Sequence, residues 1–100
     1  MDKIEKQIWE KLGDVQDPEL GISVRDLGLI YKVGVKKDVA NIDMTLTTMG
    51  CPLFDVMRDD IVAKVGEINE IHTVNVDLTF DPPWSPDKMS LEAKAQLGQL

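Results

Sequence analysis

The chain has 100 residues, 43% of them hydrophobic, and sets 11 basic against 18 acidic side chains for a formal charge of −7. That length suits one domain spanning 1–100 around a two-layer core, and the negative charge argues against nucleic acid or an anionic membrane as partner. No apolar run reaches the roughly 18 residues of a spanning helix, the charged start Met1-Asp2-Lys3-Ile4-Glu5 is no signal peptide, and a lone cysteine, Cys51, cannot form an internal disulfide, so a reducing cytoplasm is expected.

The first predicted element is an amphipathic helix over 2–12. Ile4, Ile8 and Leu12 repeat at helical spacing, Asp2 and Glu5 suit a capping arrangement, and Gly13 supplies a stop. Asp17-Pro18-Glu19-Leu20-Gly21 follows as a tight turn, with Asp17 able to cap it. Residues 23–28 read as a short capped turn. Leu29, Tyr31, Val33 and Val35 then alternate as a strand, and Lys37-Asp38 links it to a second strand in which Ala40, Ile42, Met44 and Leu46 point one way. The two predict an antiparallel hairpin with one covered and one polar face.

A second helix is predicted over 52–65. Leu53, Met57 and Ile61 form its stripe, Phe54 and Val65 flank it, and Gly66 ends it. Val74, Val76, Leu78 and Phe80 make a third strand, parallel to the second if the two are neighbours. Asp81-Pro82-Pro83-Trp84 breaks the sheet. Ser85-Pro86 reads as the start of a last helix running to Leu97, with Gly98 beyond it. The fold class is therefore α/β (α+β): two layers in the order α-β-β-α-β-α, with a small three-stranded mixed sheet covered by helices on one face.

Cys51 stands between the second strand and Pro52. Proline at a first helical position makes Cys51 the N-cap, where free N–H groups and the helix dipole favour thiolate over thiol. A thiolate is both a nucleophile and a soft-metal ligand. If the two later strands are parallel, three segments meet at one sheet edge: the Asp17–Gly21 turn with Asp26, the Thr47-Thr48 stretch leading to Cys51, and the loop bearing Trp84. That rim gathers Cys51, Asp17, Glu19, Thr47, Thr48, Asp26 and Trp84. Taken singly, most have duller explanations: Asp17 as a turn cap, Asp26 as a partner for Arg25 or a backbone N–H, Thr45 and Thr47 as exposed strand residues, Trp84 as a lid on the core. His72 reads as a loop histidine before the third strand, with nothing pairing it to Cys51.

Ligand arithmetic limits what such a rim can hold. An iron–sulfur cluster takes four protein ligands, mostly thiolates, and one chain offers one. A stable cluster in an isolated monomer is therefore not expected. Cys51 could hold a cluster transiently, or share it across a homodimer or with a partner; a mononuclear ion on Cys51 with Asp17 or Glu19 has no ligand-spacing motif behind it.

Four segments resemble the SufT/PaaD-like family of small metal–sulfur cluster assembly proteins, related to a subunit of the eukaryotic cytosolic iron–sulfur targeting complex. They are Asp17-Pro18-Glu19-Leu20-Gly21; Asp26-Leu27-Gly28-Leu29-Ile30-Tyr31; Thr45-Leu46-Thr47-Thr48-Met49-Gly50-Cys51-Pro52; and Phe80-Asp81-Pro82-Pro83-Trp84-Ser85-Pro86. The resemblance implies an α/β fold, a role in maturing iron–sulfur proteins, and Cys51 as the central residue with Asp17, Glu19, Thr47 and Thr48 around it. It also implies the iron–sulfur assembly machinery and apo iron–sulfur proteins as partners. Family members serving phenylacetate oxygenation often carry further cysteines near the C-terminus; their lack here favours the stand-alone branch. Three functions stay open: a non-enzymatic cluster carrier or adaptor, a thiol enzyme with Cys51 as nucleophile, and a plain interaction module with a structural Cys51.

Overall fold

The computed structural model describes residues 3–18, 20–47 and 53–98. Its elements are α1 (Lys3–Leu12), β1 (Ile30–Lys36), β2 (Val39–Met44), α2 (Leu53–Val65), β3 (Thr73–Leu78), a 3₁₀ turn (Pro86–Lys88) and α3 (Leu91–Gln96). This is the expected order around a three-stranded mixed sheet. Ile8 and Leu12 of α1 are fully buried, as are Ile61 and Val65 of α2, with Met57 nearly so. Each such side chain contributes about 1.5–3 kcal/mol by leaving water. The helical period delivers them to a single face of the sheet, where they meet Ala40, Ile42 and Met44 of β2. The expected cap by Asp2 and the opening of α2 at Pro52 lie outside the described residues.

β1 and β2 pair antiparallel through a two-residue connection in which Lys37 takes a left-handed φ of 57°. β2 and β3 pair parallel in unbroken register from Val39–Thr73 to Met44–Leu78, with α2 as the crossover. The uncovered face is polar, and across it Asn75 Nδ2 donates to Asn41 Oδ1 at 3.1 Å.

Four expectations change. β1 does not alternate evenly from Leu29, because a bulge falls between Ile30 and Lys32 and makes Tyr31 the extra residue. Leu29 and Ile30 are consequently both buried. Thr45 is no exposed strand residue: β2 ends at Met44, and Thr45 turns inward to 0% exposure, while Thr47 is exposed. Phe80 lies beyond the end of β3, half-buried against the core, and Leu78 on that edge strand is 38% exposed.

The last helix is also divided. Ser85 makes no side-chain cap, and the chain runs only one 3₁₀ turn before extending at Met89. Two contacts explain the break. Met89 is drawn into the core. Ser90 gives its N–H to the Asp26 carbonyl at 2.8 Å, which holds it extended. Its hydroxyl then accepts from Ala93 N–H at 3.1 Å and starts α3 afresh. Gly98, with φ 72°, ends α3 as expected.

Candidate functional site

The parallel pairing of β2 with β3 makes both strands finish at one end of the sheet, and the antiparallel hairpin starts β1 there. A relay of main-chain hydrogen bonds joins the loops at this end. Val24 N–H donates to Val15 at 2.8 Å, Leu29 N–H to Val24 at 3.1 Å, Thr45 N–H to Leu29 at 2.8 Å, and Thr79 N–H to Met44 at 2.8 Å. The relay connects the turn at Asp17, the 23–28 turn, the segment leading out of β2 and the segment leading out of β3.

Each loop is shaped by its own sequence. Asp17 is only 6% exposed; its Oδ1 accepts from Leu20 N–H at 3.1 Å, and its carbonyl accepts from Gly21 N–H at 2.8 Å. This is the turn cap expected of an aspartate before proline. Ser23 caps the next turn, its Oγ accepting from Asp26 N–H at 3.0 Å. Asp26 is half-buried, and its carboxylate makes no hydrogen bond or ion pair among the described residues. The expected partner for Asp26, Arg25 or a backbone N–H, is found in neither form among the described residues. Arg25 Nη1 donates instead to the Trp9 carbonyl at 3.2 Å, near the negative end of α1.

The Asp81–Trp84 loop, with a cis Asp81–Pro82 bond, is fastened to this end twice. Trp84 Nε1 donates to the Leu27 carbonyl at 2.7 Å, and Tyr31 OH donates to the Pro82 carbonyl at 2.9 Å. Trp84 is thus both the lid on the core and a tether to the residue after Asp26. Gly28 closes the same corner: its φ is 76°, and a Cβ there would collide with the Lys88 carbonyl.

The structure therefore brings Asp26 and Trp84 to one corner, with Thr47 on the continuation of β2 and Asp17 joined through the relay. Cys51, Glu19 and Thr48 lie outside the described residues. The first turn of α2, just beyond Cys51, holds Asp55, and Arg58 Nη1 lies 3.3 Å from its Oδ1, partly offsetting an acid near the helix start. His72 is well away, 71% exposed, with Nδ1 3.9 Å from Asp38 Oδ2. Among the described residues no three His, Cys, Asp or Glu side chains cluster closely enough to hold a metal ion.

Sequence reasoning missed three participants: Tyr31, the Leu27 carbonyl and Thr45. Tyr31 carried a signal, an aromatic residue at the start of an edge strand. The carbonyl had none. Thr45 Oγ1 is buried with no hydrogen-bond partner among the described residues, and its signal was its place one residue past the point where β2 can still pair. A buried hydroxyl left unpaired costs about 1–3 kcal/mol, so its burial just past the end of β2 is not explained by stability.

A small mixed sheet whose loops are tied together at the shared end of β2 and β3 defines a class, and the sequence comparisons give it a family. Residues 5–78 match the model of the iron–sulfur cluster assembly protein family, and the chain belongs to that family. It is 47% identical over 85 residues to the Fe-S protein maturation auxiliary factor SufT of Staphylococcus aureus, covering 84% of this chain and 97% of that one. It is 40% identical over 96 residues to the Fe-S protein maturation auxiliary factor YitW of Bacillus subtilis, covering 95% of this chain and 94% of that one. A domain of unknown function from Bacillus anthracis has the same fold, with a TM-score of 0.90 and 35% identity over 95% of this chain and 92% of that one.

Proposed function

We propose that this chain is an iron–sulfur cluster assembly and targeting factor, acting as a transient carrier or adaptor in the maturation of apo-proteins, with Cys51 as the residue that meets the cluster. The observation that carries the reading is the shared end of β2 and β3. There Thr45, on the path of the chain from β2, donates its N–H to Leu29, which follows the turn bearing Asp26 and Leu27, and the Leu27 carbonyl holds Trp84; the family match spans residues 5–78. The relatives named as maturation auxiliary factors favour a non-enzymatic role. No helix among the described residues is long and apolar enough to cross a membrane.

The cluster in this reading is cargo. Two Cys51 thiolates from two chains supply half of the four ligands, and carboxylates such as Asp17 or Glu19, or a small thiol such as glutathione, supply the rest. Oxygen ligands hold soft iron–sulfur centres weakly, which suits a cluster that must be passed on. In this reading Thr47, Thr48 and the Thr45 hydroxyl, which has no partner among the described residues, supply hydrogen bonds to the cargo. Partners on this account are the cluster assembly machinery and apo iron–sulfur proteins.

Anaerobic reconstitution with ferrous iron, sulfide and glutathione, read by native mass spectrometry, tests the reading. Iron and sulfide should appear on dimers or hetero-complexes and vanish in Cys51→Ser. A stable cluster on a monomer without added thiol, or equal uptake by Cys51→Ser, would overturn it.

A further inference from the structure

A second site lies on the flank of β1. A groove of about 360 Å³ is lined by Trp9, Arg25, Tyr31 and Lys88 among others. A smaller hollow of about 100 Å³ shares Trp9 and Tyr31 and adds Lys32. The two adjoin at Trp9 and Tyr31, and we treat them together as a trough whose lining includes Arg25, Lys32 and Lys88. The composition is opposite to that of the chain: 3 of the 11 basic side chains line it, and no acidic one does among the described residues.

These cations are not spent on internal pairs. The described ion pairs involve Lys11, Arg58 and His72, and none involves Arg25, Lys32 or Lys88. Asp43 stands opposite Lys32 in the ladder without pairing to it. Lys88 Nζ rests 5.2 Å from the centre of the Tyr31 ring, and Arg25 donates to a main-chain carbonyl. None of the three cations is therefore held in an ion pair among the described residues.

The trough also runs beside a free strand edge. The sheet order is β1-β2-β3, so β1 pairs on one side only. Residues 31–36 make no main-chain hydrogen bond outside the β1–β2 ladder among the described residues. The bulge re-aims Tyr31, whose hydroxyl and ring then hold the Asp81–Trp84 loop and Lys88 at the edge of the trough.

We infer that this trough is a docking site for an acidic, extended segment of a partner protein, which adds as a strand to the free edge of β1 and sets its carboxylates against Arg25, Lys32 and Lys88. An unpaired edge supplies the main-chain bonds, and charge supplies the selectivity. Edge lysines can also serve only to repel other strands. The two readings differ in whether an acidic strand binds. The site is separate from the Cys51 rim, and the inference does not depend on a cluster being carried.

The test uses the whole chain and a short fluorescein-labelled peptide that alternates glutamate with valine, with a lysine–valine counterpart as control. Anisotropy should register binding of the acidic peptide alone, weakening as salt is raised. Lys32→Glu and Lys88→Glu should each weaken it by about five- to tenfold, and Lys32→Gln and Lys88→Gln by less, with melting temperatures checking that every variant folds. Hydrogen exchange should slow across residues 32–35 in the complex. Equal binding of both peptides, indifference to the charge reversals, or protection elsewhere would overturn the inference. Full displacement by free glutamate at matched carboxylate concentration would also overturn it, reducing the trough to a small-anion site.

Discussion

The two ends of the sheet are built differently from the same strands. At one end β1 turns into β2 through Lys37 and Asp38, and β3 enters beside them from an exposed loop; His72 and Thr73 both donate to the Asp38 carbonyl, at 2.8 and 3.2 Å. The polar groups there are solvated or paired close by. At the other end, side chains reach across the chain to main-chain carbonyls: Tyr31 to Pro82, 51 positions away, and Trp84 to Leu27, 57 away. An aspartate and a threonine are buried there, and the threonine hydroxyl has no partner among the described residues. Long-range ties cost loop entropy, and an unpaired buried hydroxyl costs stability. The first end is built from short-range pairs; the second carries a feature, the buried Thr45 hydroxyl, that stability does not account for.

The contrast can be broken first at Gly28. Gly28→Ala demands a left-handed alanine and drives its Cβ into the Lys88 carbonyl, so unfolding titrations should register a loss of about 2–4 kcal/mol. A smaller loss would mean that the 3₁₀ turn yields easily and the corner is not rigid. Trp84→Phe removes the bond to Leu27 together with part of the ring's packing on the core, for an expected cost of about 1–3 kcal/mol in the same titration.

Thr45→Val sharpens the comparison because the sign reverses. With no bond to lose among the described residues, the variant should be as stable as the native chain or up to about 1 kcal/mol more stable. Under the proposed function it should still lower cluster uptake on reconstitution. A destabilised Thr45→Val would mean that the hydroxyl is paired in solution and is structural.

The smallest effect belongs to the loop that follows α2 and leads into β3. Lys11 Nζ lies 2.7 Å from Glu67 Oε1, and this hydrogen bond, reinforced by charge, lowers the Glu67 carboxyl below 4.5 and raises the Lys11 ammonium above 10.5. Glu67 therefore contributes stability above its ordinary value and loses it as pH falls through the lowered one. Lys11 contributes below its ordinary value and loses it as pH rises through the raised one. Both groups are exposed, so Glu67→Gln should shift the melting temperature only slightly at neutral pH and low salt, and not at all in high salt or strong acid. A shift that persists in high salt would indicate a packing role instead.

Much of the fold was legible because most elements bury one face. Ile4, Ile8 and Leu12, or Ala40, Ile42 and Met44, state their period directly, and Asp-Pro and Gly mark the turns. What escaped depended on tertiary partners. Even alternation through Leu29 and Tyr31 hid the bulge, since register is set by the opposing strand. Ser85-Pro86 looked like a helix start, but Met89 and the Ser90–Asp26 bond moved that start to Ser90. At the site, Asp17 was readable as a cap and Trp84 as a lid. The Leu27 carbonyl was not, because a main-chain acceptor leaves no mark on residue identity. Thr45 was misread because the end of β2 depends on where β3 stops pairing.

The central claim is that Cys51 serves cluster maturation and not the fold. The most direct test replaces the native chain with Cys51→Ser in cells and measures both its melting temperature and the activity of an iron–sulfur enzyme per amount of that enzyme's polypeptide. Serine keeps a capping oxygen and nearly the same volume, so stability should change by about 1 kcal/mol or less. The account predicts that enzyme activity falls while Cys51→Ser remains folded and abundant. Full activity with a folded Cys51→Ser, or a loss of activity fully explained by its unfolding, would contradict it.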